Sequence, residues 1–362
     1  MSMQTNSPSP SANTRLLTYV DALREGVAQE MRRDPRVFVF GLDVDDHKAI
    51  QGSTFGLVEE FGPERVFGTP LSEDAMTGVA IGAAMAGMRP VHVHIRMDFL
   101  MLAMNQLVNI AAKSHYMYGG QVRVPLVVRS MIGKSWGQGA QHSQGLHAMF
   151  MHVPGLKVIA PSNAYDAKEC LIAAIRDDNP VIFVEHRLLY FTDAFVPEET
   201  YEVPFGKARV CTAGGDITIV GISNMLVECM RAHELLAEEG IEAEVIDPIS
   251  LLPLDVETIL SSVRKTGRLL VVDNAWTGTG ASAEIVAAVA ERLGNGQRFE
   301  AVRMGYAPTT CPTTPALESE FYPDPAKIAR AAYAMVRPGQ PAWSPDPERA
   351  KLAYQVKFRG PF

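Results

Sequence analysis

The sequence has few cysteines, no long apolar run and no excess of positive charge. Its four cysteines are scattered without a CxxC or Cys/His spacing, which argues against a zinc site and a disulfide framework. No apolar stretch is long enough to span a bilayer, and the first residues lack the basic start and apolar core of a secretory signal. The net charge of −8 gives nucleic acid and anionic membranes no complementary field. We therefore expect a soluble cytoplasmic protein with no nucleic-acid or membrane partner.

What is present is the composition of a globular protein with room for two domains. The chain has 362 residues, of which 47% are hydrophobic and 20% charged. Short apolar runs such as 37–40, which Gly41 closes, alternate with segments whose apolar residues recur at helical spacing, such as 16–31. This alternation is typical of parallel sheets covered by helices on both faces. The predicted fold class is α/β, with two doubly wound domains.

The pattern also predicts individual elements and boundaries. Predicted strands cover residues 37–40, 66–68, 91–95, 124–128, 158–160, 181–184, 217–220, 243–246, 269–272 and 301–304. Predicted helices cover residues 16–31, 74–87, 99–115, 164–176, 223–239, 256–263, 281–293 and 326–336. We predict a disordered tail over 1–14, a first domain over 15–190, a linker over 191–206, a second domain over 207–338 and a C-terminal arm over 339–362.

Generic catalytic motifs are missing. There is no phosphate-binding P-loop, no nucleophile elbow and no histidine pair at zinc-ligand spacing. The glycines around Gly278 and Gly280 lack the third glycine and the following acid of a dinucleotide fingerprint. Composition and periodicity alone therefore predict two α/β domains but no particular function.

Five ordered stretches resemble the beta subunit of the first component of the pyruvate, branched-chain 2-oxo acid and acetoin dehydrogenases, which depend on thiamine diphosphate. These are FGPERVFGTPLSE (61–73), GVAIGAAMAGMRPV (78–91), AQHSQGLHAMFMHVPGLKVIAPSNAYDAK (140–168), AAIRDDNPVIFVEH (173–186) and PLDVETILSSVRKTGRLLVVD (253–273). The resemblance implies a pyrimidine-binding domain followed by a transketolase C-terminal-like domain. It also implies decarboxylation of a 2-oxo acid and transfer of the acyl group to a lipoyl domain.

The resemblance assigns roles to four residues. Glu73 matches the acid that bonds N1′ of the cofactor's aminopyrimidine, where a shared proton favours the imino form and makes the 4′-nitrogen a proton acceptor. Leu71 and Phe99 would contact the pyrimidine, and His142 matches a histidine that orients or protonates the substrate and the acyl acceptor. Structural alternatives stay open: an acid in a first helical turn for Glu73, a core aromatic for Phe99 and a loop histidine for His142.

The resemblance also suggests a structural cation. Ala174, Ile175, Asp177 and Asn179 match the place where relatives hold potassium, largely through main-chain carbonyls. The alternative is an ordinary helix end in which Asp177 and Asn179 make a turn before Pro180.

One absence in the sequence points to a partner. The family's diphosphate and magnesium motif, Gly-Asp-Gly followed well downstream by Asn-Asn, does not occur. In two-subunit members this motif lies on the alpha subunit. The resemblance therefore implies an α2β2 heterotetramer in which alpha holds the diphosphate and Mg²⁺, and in which this chain alone is inactive.

Some positions depart from the family. Leu42 stands where relatives carry an acid, and the segment 92–98 is more cationic than its counterparts. We place His94 and Arg96, with His142, near the substrate. Arg96 would hold a carboxylate or phosphate, or alternatively form a salt bridge with Asp98 or with a neighbouring subunit. These departures leave two alternatives open, a split transketolase or carboligase with another acceptor and a non-catalytic assembly subunit.

Overall fold

The computed structural model describes residues 15–134, 137–201, 203–294 and 296–349. The predicted tail and the end of the predicted arm lie outside these residues. The strands of the described part are β1 (Leu16–Thr18), β2 (Val37–Gly41), β3 (Val66–Gly68), β4 (Arg89–His94), β5 (Val127–Ile132), β6 (Lys157–Ile159), β7 (Val181–His186), β8 (Asp193–Phe195), β9 (Arg209–Val210), β10 (Ile217–Gly221), β11 (Ala243–Asp247), β12 (Ser250–Leu252), β13 (Arg268–Trp276) and β14 (Glu300–Tyr306). Its α-helices are α1 (Tyr19–Arg33), α2 (Leu57–Phe61), α3 (Glu73–Met85), α4 (Met97–Leu100), α5 (Ala112–Met117), α6 (His147–Met151), α7 (Ala164–Arg176), α8 (Asn224–Ala237), α9 (Val256–Thr266), α10 (Ala281–Arg292), α11 (Pro315–Phe321) and α12 (Pro325–Val336).

The first sheet has seven strands in the order β12-β6-β7-β5-β4-β2-β3. The pairs from β6 to β3 are parallel. Every residue of β2 is buried, as expected for a strand covered on both faces. Val37 and Val39 pack in the apolar cluster of α1 and α7, whereas Phe38 and Phe40 pack in the cluster of α3. This alternation confirms the doubly wound fold predicted for the first domain.

The second sheet has the order β14-β13-β10-β11-β9. The three pairs that join β14, β13, β10 and β11 are parallel, and β9 is antiparallel to β11. Helices α8 and α12 cover one face, and the apolar residues of α9 and α10 join the core that also contains Phe38 and Phe40. The two domains therefore share one continuous hydrophobic core. No helix of the described part is long and apolar enough to cross a membrane.

The two domains also share a sheet. Strand β12 follows the second domain's β11 but pairs antiparallel with β6, with Ser250 opposite Ile159 and Leu252 opposite Val158. It covers what would otherwise be an open edge of the first sheet.

The structure corrects the start of the chain and the predicted linker. The predicted helix 16–31 begins instead as β1, and Thr18 caps α1 by accepting a hydrogen bond from the Asp21 N–H at 3.2 Å. Strand β8 lies in the segment predicted as a linker, where it pairs antiparallel with β1. The sequence pattern missed both strands because each is only three residues long and stabilised by a partner about 180 residues away.

Two further elements differ from their predictions. The predicted strand 124–128 begins only at Val127, since Pro125 has no N–H to donate to a ladder. In place of the predicted helix 99–115, the structure has a series of short helical segments that starts at Met97. One of them, Gln106–Ala111, is π-helical. The Gln106 side chain would lie 3.5 Å from a Cβ at Gly78 of α3, so the irregular segment packs where α3 has no side chain.

A buried acid lies between the domains. Asp247, at the end of β11, accepts hydrogen bonds from the Ser162 hydroxyl and, at 2.9 Å, from the Ile249 N–H. Burial, and after it the nearby Asp166 carboxylate, raises the pKa of Asp247 to about 7. The Asp166 carboxylate in turn accepts hydrogen bonds from the two terminal guanidinium nitrogens of Arg209 in the second domain.

We expect Asp247→Asn to stabilise the protein above pH 7 and to have little effect near pH 4. In the unfolded chain Asp247 loses its proton near pH 4, whereas in the native state it keeps the proton to about pH 7. The wild type therefore loses up to about 1.4 kcal/mol of stability per pH unit across this interval, and the amide does not. The measurement is the unfolding midpoint of both proteins from pH 4.5 to 8.5, with the exposed Asp193→Asn as control. A constant difference between the two proteins would contradict the prediction.

Candidate functional site

A cleft of about 290 Å³ opens at the carboxyl ends of β2, β3, β4 and β7, the edge where parallel α/β sheets bind ligands. The segments that follow these strands line it. The lining residues are Leu42, Thr69, Pro70, Leu71, Ser72, Glu73, Met76, His92, Val93, His94, Ile95, Arg96, Phe99, Gln138, His142 and Arg187. The structure thus brings together the six predicted cofactor and substrate residues, Leu71, Glu73, His94, Arg96, Phe99 and His142.

Glu73 is the first residue of α3 and faces the cleft. Ser72, at the N-cap, makes no side-chain capping bond, so the amide groups of the first turn are left to other partners. The positive end of the helix dipole favours negative charge at this position. Leu71, two residues earlier, is 76% exposed and lines the same cleft.

Phe99 and His142 meet across the cleft. Their ring centroids are 5.0 Å apart and the rings are inclined at 71°, an edge-to-face contact. Asp98 ties the two segments together, because its carboxylate accepts hydrogen bonds from the N–H and the side-chain amide of Gln144 at 3.1 and 3.0 Å. Phe99 remains 37% exposed, so part of its ring is available to a ligand.

The histidines of the segment 92–98 do not contribute positive charge, which corrects the expectation of a generally cationic segment. Burial lowers the pKa of His92 to about 4 and the pKa of His94 well below its usual value. His92 stacks on Phe40 at 4.4 Å, and the His94 Nε2 is 3.2 Å from the Thr77 hydroxyl. Both rings are therefore neutral at physiological pH, and His94 offers the cleft a neutral imidazole.

Arg96 carries the positive charge of this segment. It is 5% exposed, donates one hydrogen bond to the Gly133 carbonyl at 3.1 Å, and lies 3.7 Å from the Asp98 carboxylate. The alternative prediction of an ion pair with Asp98 is thus confirmed, although the distance exceeds that of a hydrogen bond. Gly133 has to be a glycine, since a Cβ there would lie 1.9 Å from the His186 ring.

Two lining residues qualify the predictions from sequence. Leu42 does line the cleft, so an apolar side chain occupies the position where relatives carry an acid. Arg187 was missed altogether, although it directly follows β7 as Arg96 closely follows β4. Its position immediately after a buried strand was the available signal, because carboxyl ends of parallel strands meet at one edge.

The predicted potassium residues lie together, but away from the cleft, at the end of α7. The Arg89 guanidinium donates to the carbonyls of Ile175 and Asp177 at 2.8 and 3.1 Å. The Asp177 carboxylate accepts from Lys157 and, at 2.9 Å, from the Asn179 N–H. Within the described ranges no group of three or more His, Cys, Asp or Glu side chains could hold a metal ion.

One face of α3 is open to solvent. A Cβ added at Gly82 or at Gly87, just beyond the helix, would meet nothing within 4 Å, and Val79 and Met85 are 54% and 38% exposed. Packing against its own sheet, the simpler explanation for the small residues of this segment, therefore does not account for Gly82.

The chain matches two family descriptions in order. "Transketolase, pyrimidine binding domain" matches residues 16–192 and "Transketolase, C-terminal domain" matches residues 206–328. A split-gene transketolase, described as an inactive beta4 tetramer, has the same fold, with a TM-score of 0.74 over 88% of this chain and 98% of that chain. Its sequence is 21% identical, so this similarity shows the fold alone.

Curated proteins are similar over most of their length. The chain is 42% identical over 341 residues to the acetoin:2,6-dichlorophenolindophenol oxidoreductase subunit beta of Cupriavidus necator, covering 90% of this chain and 99% of that protein. It is 43% identical over 326 residues to the mitochondrial pyruvate dehydrogenase E1 component subunit beta-1 of Arabidopsis thaliana, covering 89% of this chain and 90% of that protein.

Proposed function

The chain belongs to the family of pyruvate and acetoin dehydrogenase E1 beta subunits, and from this premise we propose that it is the beta subunit of a thiamine-diphosphate-dependent enzyme that decarboxylates a 2-oxo acid and transfers the acyl group. The observation that carries the proposal is the position of Glu73. It begins α3 at a cleft at the carboxyl ends of parallel strands, and Phe99 and His142 line the same cleft.

The cleft fits an aminopyrimidine ring. A carboxylate at one edge suits a ring nitrogen, and Phe99, Leu71 and Met76 provide apolar surface for a flat heterocycle. Thiamine diphosphate, when bound, supplies the electron sink that cleavage next to a ketone requires. Glu73 would hold a proton at N1′, while Phe99 and Leu71 would pack against the ring and fix its orientation.

His142 is the proposed proton donor and acceptor for the substrate. Its ring lies at the cleft and against Phe99, and the Asp98–Gln144 bonds hold the two segments in place. His94, being buried and neutral, would orient the substrate by a hydrogen bond. Arg96 would attract the anionic substrate from the same side.

A partner subunit would complete the enzyme. This chain lacks the diphosphate and magnesium motif, so we assign the diphosphate and Mg²⁺ to an alpha subunit in an α2β2 heterotetramer. The open face around Gly82 and Val79 supports such a contact, because small residues allow close approach and exposed apolar side chains favour association. A lipoyl-bearing acyltransferase is the proposed acceptor, and the cytoplasm remains the predicted location.

A structural potassium ion belongs to the same proposal. The carbonyls of Ile175 and Asp177 accept from Arg89, but each carbonyl oxygen has a second lone pair that a cation could use. Ala174 and Asn179 would add further oxygen ligands. A higher unfolding midpoint in potassium chloride than in tetramethylammonium chloride would support the site, and equal midpoints would remove it.

The test is co-expression with the alpha-type subunit, followed by an assay of 2-oxo-acid-dependent reduction of 2,6-dichlorophenolindophenol. We expect activity only in the complex, and only with thiamine diphosphate and Mg²⁺. Acylation of a separate lipoyl domain is a second readout, in which His142→Ala should fail and the exposed His152→Ala should not. A complex that binds cofactor but does not decarboxylate would favour ketol transfer to another acceptor. A complex that never binds cofactor would favour an assembly subunit.

A further inference from the structure

Two arginines line the cleft. Arg96 follows β4 and Arg187 follows β7, and the strand between them, β5, ends at Ile132 beside Gly133. Both side chains are buried, with 5% of each residue exposed. Buried guanidinium groups are costly unless an anion compensates them.

The Arg96 guanidinium group has nitrogen atoms that make no hydrogen bond. One of its terminal nitrogens donates to the Gly133 carbonyl. Its Nε and its other terminal nitrogen are buried without a hydrogen-bond partner, and one oxygen of Asp98 is in the same condition. A guanidinium group presents its N–H groups as a planar fork that matches a carboxylate or a similar oxyanion. The Nε faces this Asp98 oxygen at 3.7 Å, so it is the other terminal nitrogen that points to a missing anionic ligand.

Arg187 is held in place rather than left free. With the amide of Gln51 in its satisfied orientation, the Gln51 oxygen accepts from two nitrogens of Arg187 at 2.6 and 2.9 Å. A third nitrogen is 3.4 Å from the Gln138 side-chain oxygen, and Gln138 also lines the cleft. These amide partners fix the position of the guanidinium group at the cleft.

Positive groups are concentrated at this end of the cleft. Burial, and then the charges of Arg96, Lys134 and Arg187, lower the pKa of His186 to about 3. Burial, and after it Arg96, also lowers the pKa of Arg187 to about 10. Asp98 is the ion-pair partner of Arg96, and burial raises its pKa. An anion bound here would interact favourably with both guanidinium groups.

We propose that the substrate of this cleft carries a second anionic group, beyond the carboxylate that decarboxylation removes, and that Arg96 and Arg187 bind it. The inference rests on the proposed function and names its substrate class: a 2-oxo acid with a distal carboxylate or with a tetrahedral oxyanion such as a sulfonate. Two guanidinium groups on the carboxylate that leaves would stabilise a charge that the reaction must disperse, and would therefore oppose catalysis. They suit a group that keeps its charge throughout.

The test uses the complex with its alpha subunit and compares substrates whose distal group is an anion, called charged here, with substrates whose distal group is an alkyl group of the same shape, called uncharged. The planar pair is 2-oxoglutarate and 2-oxo-5-methylhexanoate, and the tetrahedral pair is 3-sulfopyruvate and 2-oxo-4,4-dimethylpentanoate. We expect one charged member to have a kcat/KM about 10- to 100-fold above that of its uncharged match, since hydrogen bonds to charged groups contribute about 1.5–3 kcal/mol. The pair that shows the difference identifies the anion as planar or tetrahedral.

Variants connect this preference to the arginines. Arg96→Leu/Asp98→Asn removes both buried partners, so that no buried carboxylate is left unpaired, and Arg187→Leu tests the second arginine independently. Each should reduce the charged-to-uncharged ratio about 10-fold or more, whereas Arg264→Leu, at an exposed position, should leave the ratio unchanged. A ratio near one in both pairs for the wild type would overturn the inference, as would a ratio that neither variant changes.

A binding measurement separates this inference from the proposed function. Calorimetric titration of the complex with glutarate against 5-methylhexanoate, and with 3-sulfopropanoate against 4,4-dimethylpentanoate, requires no turnover. If no 2-oxo acid is decarboxylated but one of the two dianions binds more tightly than its match and loses this advantage in both variants, the proposed reaction fails and the anion site stands. If 2-oxo acids with an alkyl distal group are turned over while neither dianion has an advantage, the reaction stands and the anion site fails.

Discussion

Replacing Glu73 by Gln is expected to lower the turnover of the complex about 10²- to 10⁴-fold. The amide has nearly the same shape and keeps its place at the start of α3, but it cannot share an acidic proton with a ring nitrogen. Cofactor binding should weaken much less than turnover, because Phe99 and Leu71 still provide the apolar contact surface. The measurements are kcat in the dye-reduction assay and the rate of hydrogen–deuterium exchange at C2 of the bound cofactor.

Asp74→Asn is the matched control. Asp74 is the next residue of the same helical turn, so its replacement by Asn removes the same charge from the same helix end. The Asp74 side chain is exposed and does not line the cleft. If the two variants lose activity equally, the effect belongs to the helix terminus and not to proton sharing. Normal C2 exchange in Glu73→Gln would refute the role assigned to Glu73 even if turnover fell.

The second large effect is expected from Arg129→Leu, which should destabilise the protein by about 3–5 kcal/mol. Arg129 on β5 donates two hydrogen bonds to Glu185 on β7, at 2.6 and 3.0 Å, and both side chains are 1% exposed. The Tyr190 hydroxyl also donates to Glu185. Loss of the guanidinium would leave a buried carboxylate without its counter-charge.

Calorimetry of the complex should show this as a fall in the unfolding midpoint of roughly 4–7 °C. Arg32→Leu is the control, because Arg32 binds Glu60 through two similar hydrogen bonds at the surface, where such pairs contribute about 0–1 kcal/mol. Removing the whole network with Arg129→Leu/Glu185→Leu/Tyr190→Phe should recover most of the loss. Equal midpoints for Arg129→Leu and Arg32→Leu would show that burial of the pair does not determine its contribution.

Elements that are buried on both faces could be predicted from the sequence, because their apolar pattern is set by their own residues. Strand β2 and helix α7 are of this kind, and α7 begins and ends at the predicted residues, with Asn163 as its cap. The short antiparallel strands β1, β8, β9 and β12 could not be predicted. Each depends on a partner distant in the chain, and two or three residues carry too little pattern to indicate a strand.

The candidate site divides in the same way. Family resemblance selected Glu73, Phe99 and His142, and the structure places all three in one cleft. It could not show that His92 and His94 are neutral, since the pKa of a histidine depends on burial that only the fold determines. Nor could it place Arg187 beside Arg96, because they are 91 positions apart in the sequence and meet only through the order of the parallel strands.

The pairing of β12 with β6 has a consequence for biosynthesis. When the ribosome has completed β7, the strands β2 to β7 are available, but the outer edge of β6 has no neighbour until Ser250–Leu252 is made. During this interval the nascent chain presents an open strand edge of the kind that recruits other chains. A premature stop within the second domain before residue 250 would make this state permanent, so the truncated product would be prone to aggregation even if its first domain were folded.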